Sequence, residues 1–246
     1  MELIVDADHR GTSELAWRAS RQFAACPEMR WGTPRRVVVL SPHPDDEMLA
    51  AGGTMRRLAR AGSELAIIAI TDGEASHPRS PTMSRTELAI RRADERRRAL
   101  ALLGVTADVF RLGVPDGGVA LATGLAERLI PLVRGADWCL APWERDGHPD
   151  HDATGIAAAI ACGATGVRLV HYPVWAWHWA TPDGDDLPWP RAHRVELGGD
   201  DVIAKHAAIA AYRTQLAPLS HAAGDEAILP PHVLAHFHRP FEVVFV

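Results

Sequence analysis

Short runs of apolar residues alternate along the chain with longer stretches in which apolar positions follow a helical spacing. The apolar runs predict buried strands, because a strand inside a parallel sheet is covered on both faces. Two such runs lie at 37–40 and 64–70, and residues 107–112, 137–141 and 167–171 predict three further strands. The stretches between them predict helices, and this alternation is typical of an α/β protein. We therefore expect one Rossmann-like domain with a doubly wound, mostly parallel sheet flanked by helices.

Local signals predict where several helices begin and end. Ser84 and Glu87 form a capping box at the start of a helix over 84–103, and Gly104 ends it. Pro131 should shorten or kink a helix over 119–134. The same pattern predicts further helices over 48–62, 156–164 and 201–215, and further strands over 195–197 and 241–246.

Two regions depart from the alternating pattern. Residues 1–34 predict an N-terminal extension that packs on the domain formed by residues 35–246, with one amphipathic helix over 12–25. In the segment 172–190, tryptophan occupies every second position from 175 to 179, which predicts a strand with one indole face. Two interpretations of these indoles stay open: packing in the core or against another subunit, and a stacking platform for a sugar or an aromatic ligand.

Composition excludes several classes of protein. The 246 residues are 47% hydrophobic and 23% charged, which suits one globular domain. A net charge of −5 argues against nucleic acid or an anionic membrane as the main partner. The three cysteines form no C-x-x-C pair, so neither a disulfide framework nor a thiolate zinc site is expected. No signal peptide or membrane-spanning run is visible, and we expect a cytoplasmic protein.

Two turns that follow predicted strands carry the candidate chemistry. After the first strand, the sequence SPHPDDE places His43, Asp45, Asp46 and Glu47 just before a helix. After the fourth strand, the sequence HPDH spans 148–151. Turns at the carboxyl ends of parallel strands lie on the edge of the sheet where ligands bind. If the fourth strand is a neighbour of the first, the two turns open into the same crevice.

Each turn also has a structural explanation. Asp45 or Asp46 could cap the helix that follows, and the histidines at 148 and 151 could be caps or satisfied polar groups. Capping needs only one carboxylate, however, and closely spaced acids raise one another's pKa unless a cation lies between them. A metal or catalytic site is therefore the preferred interpretation. The arginine-rich helix over 84–103 is interpreted as a solvated face, because Asp94 and Glu95 are interleaved with its arginines.

Two imidazoles and one carboxylate with an open coordination position make a hydrolytic zinc site. The same ligand set occurs in iron(II) oxygenases, and His43-Pro44-Asp45 imitates their spacing. Those oxygenases are typically double-stranded β-helices, whereas this chain alternates strand and helix. We therefore rank hydrolysis above oxygenation.

The motifs SPHPDDE and HPDH resemble those of the LmbE-like/PIG-L family of zinc-dependent deacetylases. That family removes the N-acetyl group from N-acetylglucosaminyl compounds. The resemblance extends from Arg35 onward and includes the weaker motifs TDGE at 71–74, LGVPDGG at 112–118 and YRTQ at 212–215. It implies a Rossmann-like fold and an amino-sugar conjugate as the small-molecule partner.

The resemblance also implies roles for individual residues. His43, Asp46 and His151 would hold Zn²⁺, which iron(II) or cobalt(II) could replace. Asp45 would be the general base, and His148 would assist the tetrahedral intermediate, with positive charge if it is protonated. Glu47 would be a first-turn or supporting residue. Arg92 and Asp116 would contact hydroxyl groups of the sugar.

One position departs from the family pattern, since some relatives carry a tyrosine where this chain has Asp146. This difference from the family pattern bears on the identity of the substrate more than on the type of reaction. The first hypothesis is removal of an N-acetyl group from a free or conjugated amino sugar. The alternatives are an amidase that cleaves a longer amide with the same machinery, and a metal- and sugar-binding module without turnover. The sequence leaves a homo-oligomer open.

Overall fold

The computed structural model describes residues 10–246, so residues 1–9 of the predicted extension lie outside it. A mixed sheet of seven strands in the order β3-β2-β1-β4-β5-β7-β6 runs through the described part of the chain. Strands β1 to β5 are mutually parallel, whereas β7 pairs antiparallel with both β5 and β6. The strands are β1 (Arg36–Ser41), β2 (Glu64–Ala69), β3 (Ala107–Arg111), β4 (Trp138–Pro142), β5 (Arg168–Tyr172), β6 (Ala192–Glu196) and β7 (Phe241–Phe245).

Helices cover both faces of the sheet, which confirms the predicted doubly wound α/β fold. Three short 3-10 turns, Val119–Leu121, Trp189–Arg191 and Ala235–Phe237, accompany them. The helices of residues 10–246 are α1 (Glu14–Arg18), α2 (Arg21–Ala25), α3 (Asp46–Arg60), α4 (Arg85–Leu103), α5 (Leu125–Val133), α6 (Pro149–Thr165), α7 (Ala176–Trp179), α8 (Gly199–Ile209), α9 (Arg213–Leu216) and α10 (Pro231–Leu234).

The sheet order brings the two candidate turns together. Strand β1 pairs with β2 on one side and with β4 on the other, so the fourth strand is a neighbour of the first, as required for a shared crevice. Because β1 and β4 are parallel, their carboxyl ends lie at the same edge. The turns into α3 and α6 leave the sheet at this edge.

Local chemistry sets the ends of α4 and α6, and α6 begins at Pro149, earlier than the helix expected over 156–164. The Ser84 hydroxyl accepts a hydrogen bond from the Glu87 backbone N–H while the Glu87 carboxylate accepts from the Ser84 backbone N–H, which is the expected capping box. Gly104 ends α4 with φ 71°, in the left-handed region that glycine tolerates. Helix α6 begins after His148, which caps it, with Pro149 in the first turn.

Three predicted elements are wrong. The helix expected over 201–215 is divided into α8, which ends at Ile209, and α9, which begins at Arg213. The helix expected over 12–25 is two short helices, each with its own serine cap, Ser13 and Ser20. The strand expected from the alternating tryptophans is instead the single-turn helix α7. An every-second-residue pattern predicts a strand only where the sheet offers a neighbour, and this segment has already left the sheet after β5. The 119–134 helix is also shorter than predicted, since α5 begins at Leu125.

The N-terminal segment packs against the tryptophan-rich segment. Trp17 is fully buried and meets Trp177 edge to face with 5.1 Å between ring centroids, and its Nε1 donates to the Trp177 carbonyl. Phe23 contacts Trp177 and Trp189 in the same cluster. Glu14 accepts hydrogen bonds from Arg239 and His236, which ties α1 to the chain just before β7. Among the described residues, no helix is long and apolar enough to span a bilayer.

Candidate metal centre and active site

Three ligand atoms from the two turns converge on one point. His43 Nδ1 lies 3.3 Å from Asp46 Oδ2 and 3.3 Å from His151 Nε2, and the third edge, His151 Nε2 to Asp46 Oδ2, is 3.2 Å. A tetrahedral zinc ion with bonds of about 2.0–2.1 Å keeps its ligand atoms about 3.3–3.4 Å apart. The observed triangle therefore has the size of one face of a zinc coordination tetrahedron.

The charge around this triangle favours a cation. Burial opposes charging of the His151 imidazole, but Asp46 and Asp146 outweigh it and raise the pKa of His151 to about 9. Asp116, Asp150 and Asp46 likewise raise the pKa of His43, against the effect of burial. A site that attracts protons so strongly also attracts a divalent cation, which competes for the same nitrogen atoms.

Carboxylates behind the imidazoles decide which nitrogen faces the triangle. His43 Nε2 lies 3.2 Å from Asp116 Oδ1 and 3.4 Å from Asp150 Oδ2, so an Nε2–H directed at them leaves Nδ1 free for a metal. His151 donates from Nδ1 to Asp146 Oδ2 at 2.8 Å, which leaves Nε2 free. Each imidazole therefore has its outer nitrogen held and its inner nitrogen available.

His43, Asp116 and Asp150 form a second set of closely spaced ligand atoms. This set lacks a second imidazole, and Asp150 already accepts hydrogen bonds from the backbone N–H groups of Gly117 and Val119. Asp116 Oδ2 accepts from the Ala75 backbone N–H. Asp116 and Asp150 therefore support His43, and the set of His43, Asp46 and His151 is the one that could hold a metal ion.

Asp146 holds the second turn together, a role that the sequence did not indicate. Its fully buried carboxylate accepts hydrogen bonds from His151 and from three successive backbone N–H groups, those of Val174, Trp175 and Ala176. The chain after β5 therefore wraps around the same carboxylate that orients the candidate ligand. A histidine five residues after an acid was the available signal, but it has no helical or strand periodicity to make it stand out.

Asp45 lies beside the triangle in a conformation that non-glycine residues rarely adopt. Its φ is 143°, and its side chain is buried and lies 3.2 Å from Arg92 Nη2. Such strain costs about 1–3 kcal/mol and is concentrated at functional sites. Burial raises the pKa of Asp45 to about 7, with Arg92 opposing the shift and Asp46 adding to it.

Glu47 points away from the triangle into a buried network, in keeping with a supporting position. Its carboxylate accepts hydrogen bonds from the Ser41 hydroxyl at 2.6 Å, Arg96 Nε at 2.9 Å and the Tyr212 hydroxyl at 3.1 Å. The network links the end of β1 to α4 and to the residue before α9. It fixes the first turn of α3, on which Asp46 sits.

His148 caps α6 and faces the pocket as a neutral ring. Its Nδ1 accepts a hydrogen bond from the Asp150 backbone N–H at 3.2 Å, so the proton of a neutral ring is on Nε2. Burial, followed by the charges of His151 and His43, lowers the pKa of His148 to about 3. This geometry supports a neutral hydrogen-bond donor rather than the positive charge considered from the sequence.

The two residues expected to contact sugar both line the pocket, but each is engaged within the protein. Arg92 donates from Nη1 to the Gly73 carbonyl and from Nη2 to the Pro44 carbonyl, each at 2.9 Å. Its buried Nε has no hydrogen-bond partner within the described chain. Asp116 is shared between His43 and the Ala75 backbone. Arg92 thus supports Asp45, and Asp116 supports His43.

The triangle opens into a cavity of about 530 Å³, within the usual range of roughly 300–1,000 Å³ for small-ligand sites. Asp45, Arg92 and His148 are among the polar residues that line it. Its remaining wall is mostly apolar and includes Leu49, Pro78, Val174, Trp175, Ile228 and Leu229. Trp175 thus lines the cavity, whereas Trp177 is 3% exposed in the core.

Comparison with known proteins places these motifs in a family. Residues 38–162, more than half of the chain, match the family PIG-L, described as GlcNAc-PI de-N-acetylase. Diacetylchitobiose deacetylase from Thermococcus kodakarensis is 28% identical over 138 residues, covering 54% of this chain and 51% of the relative. A 1D-myo-inositol 2-acetamido-2-deoxy-alpha-D-glucopyranoside deacetylase from Kineococcus radiotolerans is 33% identical over 133 residues, covering 53% of this chain and 33% of the relative.

A solved structure shares the fold over a longer range. N,N'-diacetylchitobiose deacetylase from Pyrococcus horikoshii superposes with a TM-score of 0.60 at 24% identity, covering 74% of this chain and 71% of that protein. The two curated relatives are matched over only about half and a third of their own length. Both candidate turns, from His43 to His151, lie within the matched range. The chain therefore belongs to the PIG-L, or GlcNAc-PI de-N-acetylase, family.

Proposed function

We propose that the protein is a metal-dependent amide hydrolase that removes the N-acetyl group from an amino sugar or amino-sugar conjugate. The observation that carries the proposal is the triangle of His43, Asp46 and His151, with a strained, buried Asp45 at its side. The names of the family and of the similar relatives support the amino-sugar substrate. The cavity of about 530 Å³ is large enough for a ligand of this size class.

His43, Asp46 and His151 would hold the metal, and the size of their triangle suits zinc. Iron(II) or cobalt(II) would also accept two imidazoles and a carboxylate. A bound zinc ion supplies Lewis-acid polarisation of the amide carbonyl and lowers the pKa of a water molecule. Asp146, Asp116 and Asp150 keep the imidazoles in the tautomers that this requires.

Asp45 would act as the proton carrier. Its carboxylate accepts a proton from the attacking water and delivers it to the nitrogen of the leaving amine. Without a metal the pKa of Asp45 is about 7, and a carboxylate that ionises at or below neutral pH can take and return a proton. Arg92 holds the carboxylate in place through its contact with Oδ2.

His148 would stabilise the oxygen of the acyl group as negative charge develops on it. The neutral ring can donate from Nε2, because its Nδ1 is occupied by the Asp150 backbone N–H. A fixed donor in a buried site stabilises developing charge strongly, since it need not reorient during the reaction. Arg92 and Asp116 are proposed, on the resemblance alone, to contact sugar hydroxyls.

A longer acyl group is the second candidate, because the cavity wall is largely apolar. Leu49, Val174 and Leu229 are each almost completely buried and line the cavity. They would favour an acyl chain or an apolar substituent of the sugar over its hydroxyls. A metal- and sugar-binding module without turnover is disfavoured, because metal retention does not need the strained Asp45.

The decisive measurement is release of primary amine by the zinc-loaded protein from N-acetylglucosaminides that differ in their aglycone. Matched substrates with propionyl and octanoyl amides separate the deacetylase from the amidase. Asp45→Asn is the test variant, and Asp94→Asn, at a partly exposed position on α4, is the control. We expect amine from the wild type and the control alone. Metal-loaded wild type that releases no amine from any substrate, yet binds one, would favour the binding module.

A further inference from the structure

Two loops without regular secondary structure supply apolar side chains to the cavity. Residues 75–83 belong to the connection between β2 and α4, and residues 217–230 connect α9 to α10. The first loop contributes Pro78 to the lining, and the second contributes Ile228 and Leu229. Loops are usually more mobile than the elements they connect. A role in recognition therefore requires that these two loops be held in place.

A buried carboxylate joins the two loops. Asp225 is fully buried, and its Oδ2 accepts a hydrogen bond from the Thr82 hydroxyl of the first loop at 2.6 Å. The same oxygen accepts from the Ser220 hydroxyl of its own loop at 2.5 Å. The Asp225 carbonyl accepts from the Leu219 backbone N–H at 2.8 Å. Hydrogen bonds to an ionised acceptor are among the stronger ones in proteins, so Asp225 fixes the loops to each other.

His77 and Gly224 connect the loops at two further points. His77 Nε2 lies 3.0 Å from the Glu226 carbonyl oxygen, and its Nδ1 lies 3.0 Å from the Ser76 hydroxyl. Since a carbonyl only accepts, the neutral ring donates from Nε2 and accepts at Nδ1. Gly224, with φ 94°, allows the Arg79 carbonyl so close that an added Cβ would lie 2.6 Å from its oxygen. Residues 75–83 and 217–230 therefore form one preformed surface, the two-loop wall.

Trp175 adds an indole to the apolar lining, and its backbone is also held. The Trp175 N–H donates to Asp146 Oδ2 at 2.9 Å, and the same oxygen lies 2.8 Å from His151 Nδ1. The residue is partly exposed and lines the cavity, so its ring is accessible to a ligand. An aromatic ring on a fixed backbone offers a large contact area at a low entropic cost.

The charges that line the cavity disfavour an anionic substrate. Four carboxylates line it, those of Asp45, Asp46, Asp116 and Asp150. Among the described residues of the lining, Arg92 is the only lysine or arginine, and it is paired with Asp45 at 3.2 Å. A divalent metal ion offsets only two negative charges. A carboxylate or phosphate on the substrate would therefore meet like charge, which opposes binding.

We propose that the substrate is an amino sugar with an uncharged, apolar aglycone, which packs against the two-loop wall and Trp175. The inference rests on the proposed hydrolysis and narrows its substrate. Because that reaction releases only a small acetyl group, the apolar lining serves the rest of the substrate. Ile228 and Trp175 are the specificity-determining residues. Asp225 is a positioning residue that acts through the two-loop wall.

The test measures dissociation constants by titration calorimetry on the zinc-loaded Asp45→Asn protein, which should hold a substrate without turnover. The probes are the methyl, phenyl and 4-carboxyphenyl glycosides of N-acetylglucosamine. We expect the phenyl glycoside to bind at least about tenfold more tightly than the methyl glycoside. The 4-carboxyphenyl glycoside has the same ring with a charge added, and it should lose that gain. The KM of amine release by the wild type should follow the same order.

Ile228→Lys, made in the same Asp45→Asn protein, places a cation in the two-loop wall and should reverse the preference. Ile228 is partly exposed, so the lysine ammonium can stay in water. We expect the 4-carboxyphenyl glycoside to bind at least about tenfold more tightly than before the substitution. The control is Ile203→Lys, at a 70% exposed position on α8 outside the cavity lining. Circular dichroism checks folding, and Ile228→Ala, which adds no charge, should independently lower the preference for phenyl.

Asp225→Ala tests the positioning role. Loss of the bonds to Thr82 and Ser220 should raise the dissociation constant of the phenyl glycoside at least about threefold and leave that of the methyl glycoside unchanged. Asp225→Asn keeps an acceptor oxygen and should restore most of the affinity. A merely structural role would weaken the binding of both glycosides to the same extent.

The possible failures are distinguishable. Equal binding of the methyl and phenyl glycosides would overturn the inference and leave the proposed hydrolysis intact. A 4-carboxyphenyl glycoside that binds as tightly as the phenyl one would do the same, as would an Ile228→Lys protein that binds like its control. If none of the three glycosides binds, the amino-sugar substrate itself is rejected, and this inference with it.

Discussion

The two turns that build the candidate site use their carboxylates in opposite ways. In the turn after β4, Asp146 and Asp150 are saturated by hydrogen bonds, mostly from backbone N–H groups. Burial would raise the pKa of Asp150, but His43 and the Gly117 N–H outweigh it and the pKa is lowered. In the turn after β1, Asp45 has the Arg92 guanidinium as its side-chain partner, and burial raises its pKa to about 7.

This difference separates carboxylates that orient the candidate metal ligands from the carboxylate that could exchange protons in the reaction. A carboxylate surrounded by fixed donors stays ionised and keeps an imidazole in one tautomer. A buried carboxylate with few donors ionises near neutral pH and can exchange protons. Environments that push the pKa values of neighbouring acids apart are how a protein assigns different roles to similar side chains. The first turn therefore supplies the candidate base, and the second turn supplies most of the support.

The largest effect is expected at Asp45. Asp45→Asn removes the proton carrier but keeps the size and shape of the side chain, so kcat should fall by about 10²–10⁴-fold. Metal content should not change, because Asp45 is outside the ligand triangle. Amine release and bound metal are measured on the same preparation. Loss of metal together with activity would show that the first turn holds the metal as a unit, and the comparison between the turns would fail.

The pH dependence of kcat/KM tests the role of Asp45 independently. Asp45 must be ionised to accept a proton, so kcat/KM should rise as pH increases through the pKa of this carboxylate. That pKa is about 7 without a metal, and a bound cation lowers it, so the acidic limb should lie at or below about 7. Residual activity of Asp45→Asn should lack this limb. A limb that persists in the variant would assign the titration to another group.

An intermediate effect is expected at Asp146. Asp146→Asn removes the charge that orients His151, and loss of such support typically costs about 10–100-fold in metal affinity. The measurement is competition for zinc against a chelator, with Asp152→Asn, in the same turn, as the control. Activity at saturating zinc should largely recover. A loss of kcat that excess zinc does not restore would show that Asp146 acts in the reaction itself.

The smallest effect is expected at Asp116. Asp150 also faces His43 Nε2, so Asp116→Asn should lower zinc affinity by less than about tenfold. Comparison of KM with zinc affinity separates its two possible roles. A larger rise in KM than loss of zinc affinity would support the sugar contact that the resemblance implies. Unchanged KM would leave Asp116 as support for His43 alone.

Much of the fold was predictable because it rests on local patterns. The five parallel strands, the capping box at Ser84 and the stop at Gly104 all follow from residues within a few positions of one another. The strand predicted from the alternating tryptophans is wrong because the contacts of this segment are not local. Its alternation is satisfied by contacts with Trp17 and by exposure to the cavity, neither of which is local. Distant contacts override local preference in such segments.

The sequence by itself determined the chemistry that this protein can offer: two acidic turns, each with histidine, placed after strands of a parallel sheet. Only the tertiary structure decided the hydrogen-bond partners of the site residues. It set which nitrogen of His43 and His151 faces inward, made Asp146 an anchor for residues 174–176, and left Asp45 with few donors. Apart from the Asp146–His151 bond, which spans five residues, these contacts join positions 28 to 108 residues apart. Spacing along the chain carries no information about them, because they depend on how neighbouring strands bring their ends together.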